Sequence, residues 1–145
     1  MTSARAIAFV ALGSNLGARE AHLAFARERL AGLPSTSMLA ASDVEETEPL
    51  GGLDQPAYLN QMIAIETSLD PRALLALLHE TEQARGRGRE RGARWASRTL
   101  DLDLVVYDEM SVDEPGLVLP HPGLADRDFW QRQLAAVRDR LPGPP

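Results

Sequence analysis

The 145-residue chain has the length of one domain, and its 44% hydrophobic and 25% charged residues are ordinary values for a globular protein. Its net charge of -6 argues against general binding to nucleic acid or to an anionic membrane, so an anionic ligand needs a local cluster of positive charge. The chain has no cysteine and no lysine, which excludes disulfides, thiolate metal sites, Schiff-base chemistry and the lysine of a Walker-type phosphate loop.

The first part of the chain predicts a strand, a helix and a weak second strand. The continuous apolar run at 6–12 ends at Gly13, as expected of a strand that is buried on both faces. The segment 14–33 begins with the capping residues serine and asparagine and carries apolar residues at helical spacing. The segment 36–46 is weakly patterned and compatible with a strand. The stretch TEPLGGLDQPAYLN, 47–60, predicts a loop because proline and glycine interrupt it.

The second part predicts strand, helix, strand and helix. The segment 60–69, NQMIAIETSL, alternates as a strand does. Asp70 caps a helix that has proline in its first turn and ends at Gly86. After a glycine- and arginine-rich loop, TLDLDLVVY at 99–107 predicts a strand, and 125–141 predicts a final helix.

This order of elements predicts an α+β fold. Strand, helix, strand, strand, helix and strand form a ferredoxin-like βαββαβ core, in which helices cover an antiparallel sheet. No repeat or linker divides the chain, so we expect one domain over 1–145. No apolar run approaches the ~20 residues of a membrane span. Arg5 and the short apolar run after it imitate a signal peptide, but the run has only the minimum length and leads into a helix pattern, so we expect a cytoplasmic protein.

An acidic pair, Asp101 and Asp103, is the first feature that suggests chemistry. Because side chains alternate along a strand, both carboxylates point to one side with Cα atoms ~7 Å apart, while the leucines around them point to the other. Oxygen ligands without histidine or cysteine beside them suit Mg²⁺, which usually completes its coordination with water and phosphate. The alternative is an exposed amphipathic strand whose acids face water.

Five arginines precede this strand on the glycine-rich segment: Arg87, Arg89, Arg91, Arg94 and Arg98. Planar, permanently charged guanidinium groups are suited to binding phosphate oxygens. Mg²⁺ and arginine together commonly hold a polyphosphate while a phosphoryl group moves. The alternative is a solvated loop whose arginines offset nearby acids. Taken together, the acids and the arginines favour chemistry on a nucleotide polyphosphate.

Four segments resemble a known family. ALGSNLG, TEPLGGLDQPAYLN, GRGRERGARWASRTLDLDLVVY and LPHPGLADRDF are similar, in order and approximate spacing, to the 6-hydroxymethyl-7,8-dihydropterin pyrophosphokinase family of folate biosynthesis, over residues 7–129. The resemblance implies a monomeric enzyme that moves the β,γ-pyrophosphoryl group of ATP as a unit to the hydroxymethyl oxygen of a reduced pterin and releases AMP.

The resemblance also implies residues for the phosphate side of the site. Asp101 and Asp103 match the magnesium ligands of the family, and Arg87 and Arg98 match its catalytic arginines, which neutralise charge on the phosphates in the transition state. The residues that match the nucleotide side are Glu82, Trp95, His121 and Arg127.

For the pterin, the resemblance implies a stacking pair and a residue that reads the edge of the ring. Tyr58 and Phe129 match the stacking pair, and Asn60, whose amide both donates and accepts, matches the edge reader. The backbone from Thr47 through Pro49 to Leu50 completes this site. Without the motifs, core aromatics and a turn asparagine would be the simpler interpretation.

The chain departs from the family at several positions. The residues at 96–97 are alanine and serine where the family usually has glycine and proline, and His79 stands where glutamine is frequent. Gly116 and Val118 replace polar nucleotide contacts of some members. Beyond Phe129 a helical pattern replaces the usual apolar, strand-like ending. These departures concern the affinity for ATP and the packing of the C-terminus more than the reaction.

Two other interpretations stay open at this point. A different magnesium phosphotransferase or phosphodiesterase would use the same acids and arginines without needing Tyr58, Asn60 and Phe129 as a set. A non-catalytic ferredoxin-like binding module would need none of them. Formation of AMP only when ATP and hydroxymethyl-dihydropterin are both present would separate the three.

Overall fold

The computed structural model describes residues 5–48, 56–85 and 99–142. The elements in chain order are β1 (Ala6–Ser14), α1 (Arg19–Ala31), β2 (Thr36–Ala41), β3 (Glu45–Thr47), β4 (Tyr58–Thr67), α2 (Pro71–Ala84), β5 (Asp101–Tyr107), β6 (Val112–Glu114), β7 (Leu117–Leu119), a 3₁₀ turn (Pro122–Ala125) and α3 (Asp128–Arg140). None of these helices has the length and apolar character needed to cross a bilayer.

The sheet is antiparallel, and the predicted α+β class is confirmed. Its strand order is β2-β4-β1-β5, and β3 also pairs with β4. The weak pattern at 36–46 separates into two strands, β2 and β3, that pair with different parts of β4. The hairpin of β6 and β7 was not predicted, because strands of three residues are too short to show a period.

The two helices with predicted capping residues had different outcomes. The Asp70 carboxylate accepts a hydrogen bond from the backbone N–H of Ala73 at 2.8 Å, and Pro71 opens α2, as predicted. The predicted caps of α1 are wrong. Ser14 is the last residue of β1, and the Asn15 amide donates to the carbonyl of Pro56 at 3.2 Å, so α1 starts at Arg19 without a side-chain cap. Ser14 pairs with Leu59 in the sheet and Asn15 is bonded to the loop before β4, so neither residue caps the helix.

The sheet has helices on both faces. On one face, α1 and α2 pack on apolar residues that include Val10, Ile63 and Leu102. On the other face, α3 packs on Ala11 and Met62. Because side chains alternate along each strand, Gly13 and Asp103 lie on the same face as Ala11 and Met62. The predicted site residues of the sheet therefore belong to the α3 face.

Candidate active site

Three neighbouring strands place Asn60, Gly13 and Asp101 in one row across the sheet. Gly13 of β1 pairs with Asn60 of β4 on one side and with Asp101 of β5 on the other. Paired residues project to the same face, so Asn60 and Asp101 project side by side from strands whose backbones lie about 10 Å apart, two strand spacings, with no side chain from β1 between them. An added Cβ at Gly13 would lie 3.3 Å from the Asn60 Oδ1 and 3.5 Å from Tyr58.

The acidic pair lies at the start of the edge strand. Asp101 and Asp103 are partly exposed at alternate positions of β5, so both project to the α3 face. The side chain of Asp103 is 38% exposed. Within the described ranges no group of three histidine or acidic side chains could hold a metal ion. A pair of carboxylates is a donor set that fits Mg²⁺, which keeps water and substrate phosphate as its other ligands.

Glu82 connects α2 with the strand that carries the acids. It is buried, with 5% of its surface exposed, and its Oε2 accepts a hydrogen bond from the backbone N–H of Leu102 at 2.7 Å. Leu102 lies between the two aspartates. Glu82 therefore orders the backbone of the acidic pair from the opposite face of the sheet. The predicted contact of Glu82 with the nucleotide stays a prediction.

His121 approaches the acidic pair from the loop after β7. Its Nε2 lies 3.5 Å from the Asp103 Oδ1. Its Nδ1 accepts a hydrogen bond from the backbone N–H of Gly123 at 2.9 Å, so the neutral ring carries its proton on Nε2 and directs it toward Asp103. The backbone N–H of His121 in turn donates to the carbonyl of Val105 at 2.8 Å, which fixes the loop to β5.

Arg127 lies beside His121. Its guanidinium carbon is 4.3 Å from the ring centroid of Trp130. A Cβ added at Gly123 would lie 2.9 Å from Arg127 Nη1, so the glycine leaves room for the folded arginine side chain. The structure thus brings together His121 and Arg127, which the resemblance assigns to the nucleotide.

The predicted pterin residues share the α3 face. Tyr58 and Asn60 are alternate residues of β4, and the amide of Asn60 donates to the hydroxyl of Thr47 on β3. Asn60 is the third residue of the strand and only 7% exposed, so it is not a turn residue. Phe129 is half-buried near the start of α3, the helix that covers this face, with its ring 6.5 Å from Trp130.

A cleft of about 270 Å³ opens beside β5. Apolar side chains and two histidines form its walls. Asp103, one of the acidic pair, also lines it, so the cleft adjoins the predicted metal site. The residues that line it are Leu75, His79, Leu102, Asp103, Leu104, Gly116, Leu117, Val118, His121 and Pro122. The hairpin that the sequence did not predict thus supplies one wall, and His79, Gly116 and Val118 lie where the chain departs from the family.

A contact between α1 and the end of α2 was not predicted. The Nδ1 of His22 accepts from Arg85 Nε at 3.0 Å and from Nη2 at 2.9 Å, and the guanidinium stacks 4.5 Å from the ring centroid of Phe25. The carbonyl of Arg85 accepts from the hydroxyl of Thr99 at 2.6 Å. In the sequence, the helical spacing of His22 and Phe25 indicates only that both lie on one face of α1. It does not identify Arg85, 63 residues away, as their partner.

Arg19 was also missed. Its Nη1 donates to the carbonyl of Ala57 at 2.7 Å and to the Glu46 carboxylate at 3.0 Å. It thereby joins β3 to the residues that precede Tyr58. Sequence alone gives no sign of this, because an arginine at the start of an amphipathic helix is ordinarily a solvated residue.

Several predicted residues lie outside the described ranges. These are Arg87, Arg98, Trp95, Pro49 and Leu50. Their assignments stay predictions from the resemblance.

A pair of carboxylates beside a cleft, with a histidine next to one of them and an arginine close to that histidine, suits an enzyme that acts on phosphate esters or anhydrides. Comparison with known proteins is more specific. Residues 9–139 match the model of the family 7,8-dihydro-6-hydroxymethylpterin-pyrophosphokinase. The chain belongs to this family.

Three curated relatives are named as pyrophosphokinases of a hydroxymethyldihydropteridine. A 2-amino-4-hydroxy-6-hydroxymethyldihydropteridine pyrophosphokinase of Bacillus subtilis is 38% identical over 131 residues, 90% of this chain and 77% of the relative. Proteins of that name from Methylorubrum extorquens and Pseudomonas aeruginosa are 41% and 39% identical, over 92% of this chain and 84% and 81% of their own lengths.

Proposed function

We propose that this protein transfers the pyrophosphoryl group of ATP to 6-hydroxymethyl-7,8-dihydropterin. The products are AMP and the pterin diphosphate, and the reaction is a step of tetrahydrofolate biosynthesis. The protein is a transferase, and membership of the family and the names of the relatives support this reaction. We further propose that it works as a cytoplasmic monomer of one domain, with a ferredoxin-like βαββαβ core.

The row formed by Asn60, Gly13 and Asp101 is the observation that carries the proposal. It puts an amide suited to the edge of a pterin and a carboxylate suited to a metal on one face, on strands whose backbones lie about 10 Å apart. The glycine between them leaves open the path along which the acceptor hydroxyl has to approach the phosphates. An amphipathic strand with merely solvated acids would not need this gap.

The metal ligands in this proposal are Asp101 and Asp103. Bound Mg²⁺ supplies positive charge that polarises the phosphate oxygens and lowers the proton affinity of the acceptor hydroxyl. The chain itself orients the carboxylates, because the bond from Leu102 to Glu82 holds β5 against α2. The carboxylates of Asp101 and Asp103 are thereby held side by side, in the arrangement that the metal ion requires.

On the nucleotide side, His121 and Arg127 bind the phosphates or the ribose, and the cleft beside β5 takes the rest of the nucleotide. The Nε2–H of His121 points toward Asp103 and can donate to a phosphate oxygen that binds beside this carboxylate. Arg87 and Arg98 neutralise the charge that grows on the phosphates during transfer. Trp95 packs over the bound ligands, and Glu82 is the acidic residue of α2 that lies near the nucleotide.

On the pterin side, Tyr58 and Phe129 stack against the two faces of the ring. Asn60 reads the edge, and its amide orientation is already set by the hydroxyl of Thr47. The backbone from Thr47 through Pro49 to Leu50 supplies further polar partners along the edge. The two stacking residues set the plane of the ring, and the contact of its polar edge with Asn60 directs the hydroxymethyl group toward the acids.

The test is the formation of AMP from ATP. We expect AMP and the pterin diphosphate in equal amounts when MgATP and hydroxymethyl-dihydropterin are both present, and neither product when one substrate is omitted. AMP or ADP formed without the pterin would favour another phosphotransferase or a phosphodiesterase. Binding of the pterin without any product would favour a binding module.

A further inference from the structure

Trp130 is a buried aromatic residue that contacts two polar side chains of the site. It is the third residue of α3, is 3% exposed, and belongs to the core on the α3 face. Its ring centroid lies 5.0 Å from that of His121, with the ring planes at 84°. The guanidinium carbon of Arg127 lies 4.3 Å from its centroid.

These two contacts differ from ordinary core packing. A guanidinium over an indole is attracted by the negative face of the ring, and a perpendicular pair of rings is a favoured arrangement. His121 lines the cleft and Trp130 does not. The indole therefore contacts the lining of the cleft through His121.

Gly123 limits the same arrangement from the other side. Its N–H orients His121, and a Cβ here would be 3.1 Å from His121 Nδ1 and 2.9 Å from Arg127 Nη1. His121 and Arg127 are thus enclosed between a rigid indole and a backbone without a side chain. A change of rotamer at either residue would lose its contact with the indole.

We propose that Trp130 is a positioning residue that fixes His121 and Arg127 in the arrangement that binds the nucleotide. This rests on the proposed function, in which those two residues contact ATP. Trp130 itself touches no substrate. Its effect is to remove, before binding, the side-chain freedom that a long arginine would otherwise lose on binding.

The control is Val137→Ala. Val137 lies on the same helix and in the same core cluster and is fully buried, but it is not part of the His121 and Arg127 contacts. Its truncation reports what loss of core packing alone does. Trp130→Leu removes the aromatic face, and Trp130→Phe keeps a smaller one, so the second variant tests the inference even when the first does not fold.

The first measurement uses the free protein. The indole shifts the NMR signals of the Arg127 side chain to high field by its ring current, and these signals are expected at ordinary positions in Trp130→Leu and at intermediate ones in Trp130→Phe. Unshifted signals in the unmodified protein would overturn the contact and the inference with it.

The second measurement is calorimetric titration with Mg²⁺ and a non-hydrolysable ATP analogue, and separately with the pterin. We expect Trp130→Leu to weaken binding of the analogue about tenfold, Trp130→Phe less, and binding of the pterin to change less than twofold. Val137→Ala should leave both affinities unchanged.

Equal losses of affinity for both ligands, or the same loss in Val137→Ala, would show that Trp130 acts only through core packing. If the unmodified protein binds no analogue, the proposed function fails; if it binds and Trp130→Leu binds equally well, only the inference fails.

Discussion

Glu82 accepts a hydrogen bond from the backbone N–H of Leu102 at 2.7 Å, between a helix on one face of the sheet and the strand that presents two carboxylates on the other. A buried acceptor of this kind stabilises the fold and also fixes the backbone next to the site. The Glu82 carboxylate therefore contributes to the stability of the free protein, in addition to any contact with the nucleotide.

The first prediction concerns this bond. Glu82→Ala leaves the N–H of Leu102 without its acceptor and should lower the free energy of unfolding by about 1–3 kcal/mol, measured by urea denaturation. Glu82→Gln still offers an oxygen and should lose less than half of that. Equal losses in the two variants would show that the charge, rather than the hydrogen bond, is what stabilises.

The second prediction concerns the acidic pair. Asp103→Asn keeps the size of the side chain and removes its charge, so turnover should fall by orders of magnitude at saturating Mg²⁺ while the melting temperature stays close to that of the unmodified protein. Asp113→Asn, on an exposed position of β6, is the matched control and should retain turnover. Full activity of Asp103→Asn would remove the metal assignment.

The third prediction concerns the pterin stack. Phe129→Ala should weaken binding of the pterin by about 1–3 kcal/mol, because an aromatic contact is lost, and should leave binding of the ATP analogue largely unchanged. Met110→Ala removes an apolar side chain that is 42% exposed and serves as the control in the same titrations. Equal losses for both ligands in Phe129→Ala would instead indicate unfolding at the start of α3.

The fourth prediction concerns the gap at Gly13. Gly13→Ala puts a methyl group 3.3 Å from the Asn60 Oδ1, so the amide has to shift and the affinity for the pterin should fall about three- to tenfold. Gly32→Ala meets only ordinary contacts, at 3.6 Å and beyond, and should bind the pterin normally. Unchanged affinity in Gly13→Ala would mean that this row does not hold the pterin.

The fifth prediction concerns pH. Burial, and then the charge of Arg85, lower the pKa of His22 below its usual 6.5. The unfolded chain therefore binds the proton more tightly, so the contribution of His22 to stability is complete above about pH 6.5 and is lost as the pH falls through the lowered pKa. His22→Asn keeps an acceptor for Arg85 without titrating. Urea denaturation at a series of pH values should show a smaller loss of stability in this variant below pH 6.5, and identical pH profiles would contradict the prediction.

The elements that the sequence determined are those with a strong local signal. Asp70 and Pro71 define the start of α2 because capping and a fixed proline φ act within one turn. The alternation in β5 put Asp101 and Asp103 on one face, because the period of two is a property of any strand. The family motifs indicated the reaction. The motifs do not show which residues are in contact in the folded protein.

Contacts between residues far apart in the chain were decided by the tertiary structure alone. The register of three strands sets Asn60, Gly13 and Asp101 in one row, and a shift by one residue would turn each side chain to the other face. Ser14 and Asn15 have the chemistry of helix caps, but pairing in the sheet and a carbonyl 41 residues away take precedence. Local propensities are worth a few tenths of a kcal/mol to about 1 kcal/mol per residue, so burial and strand pairing outweigh them wherever the two conflict.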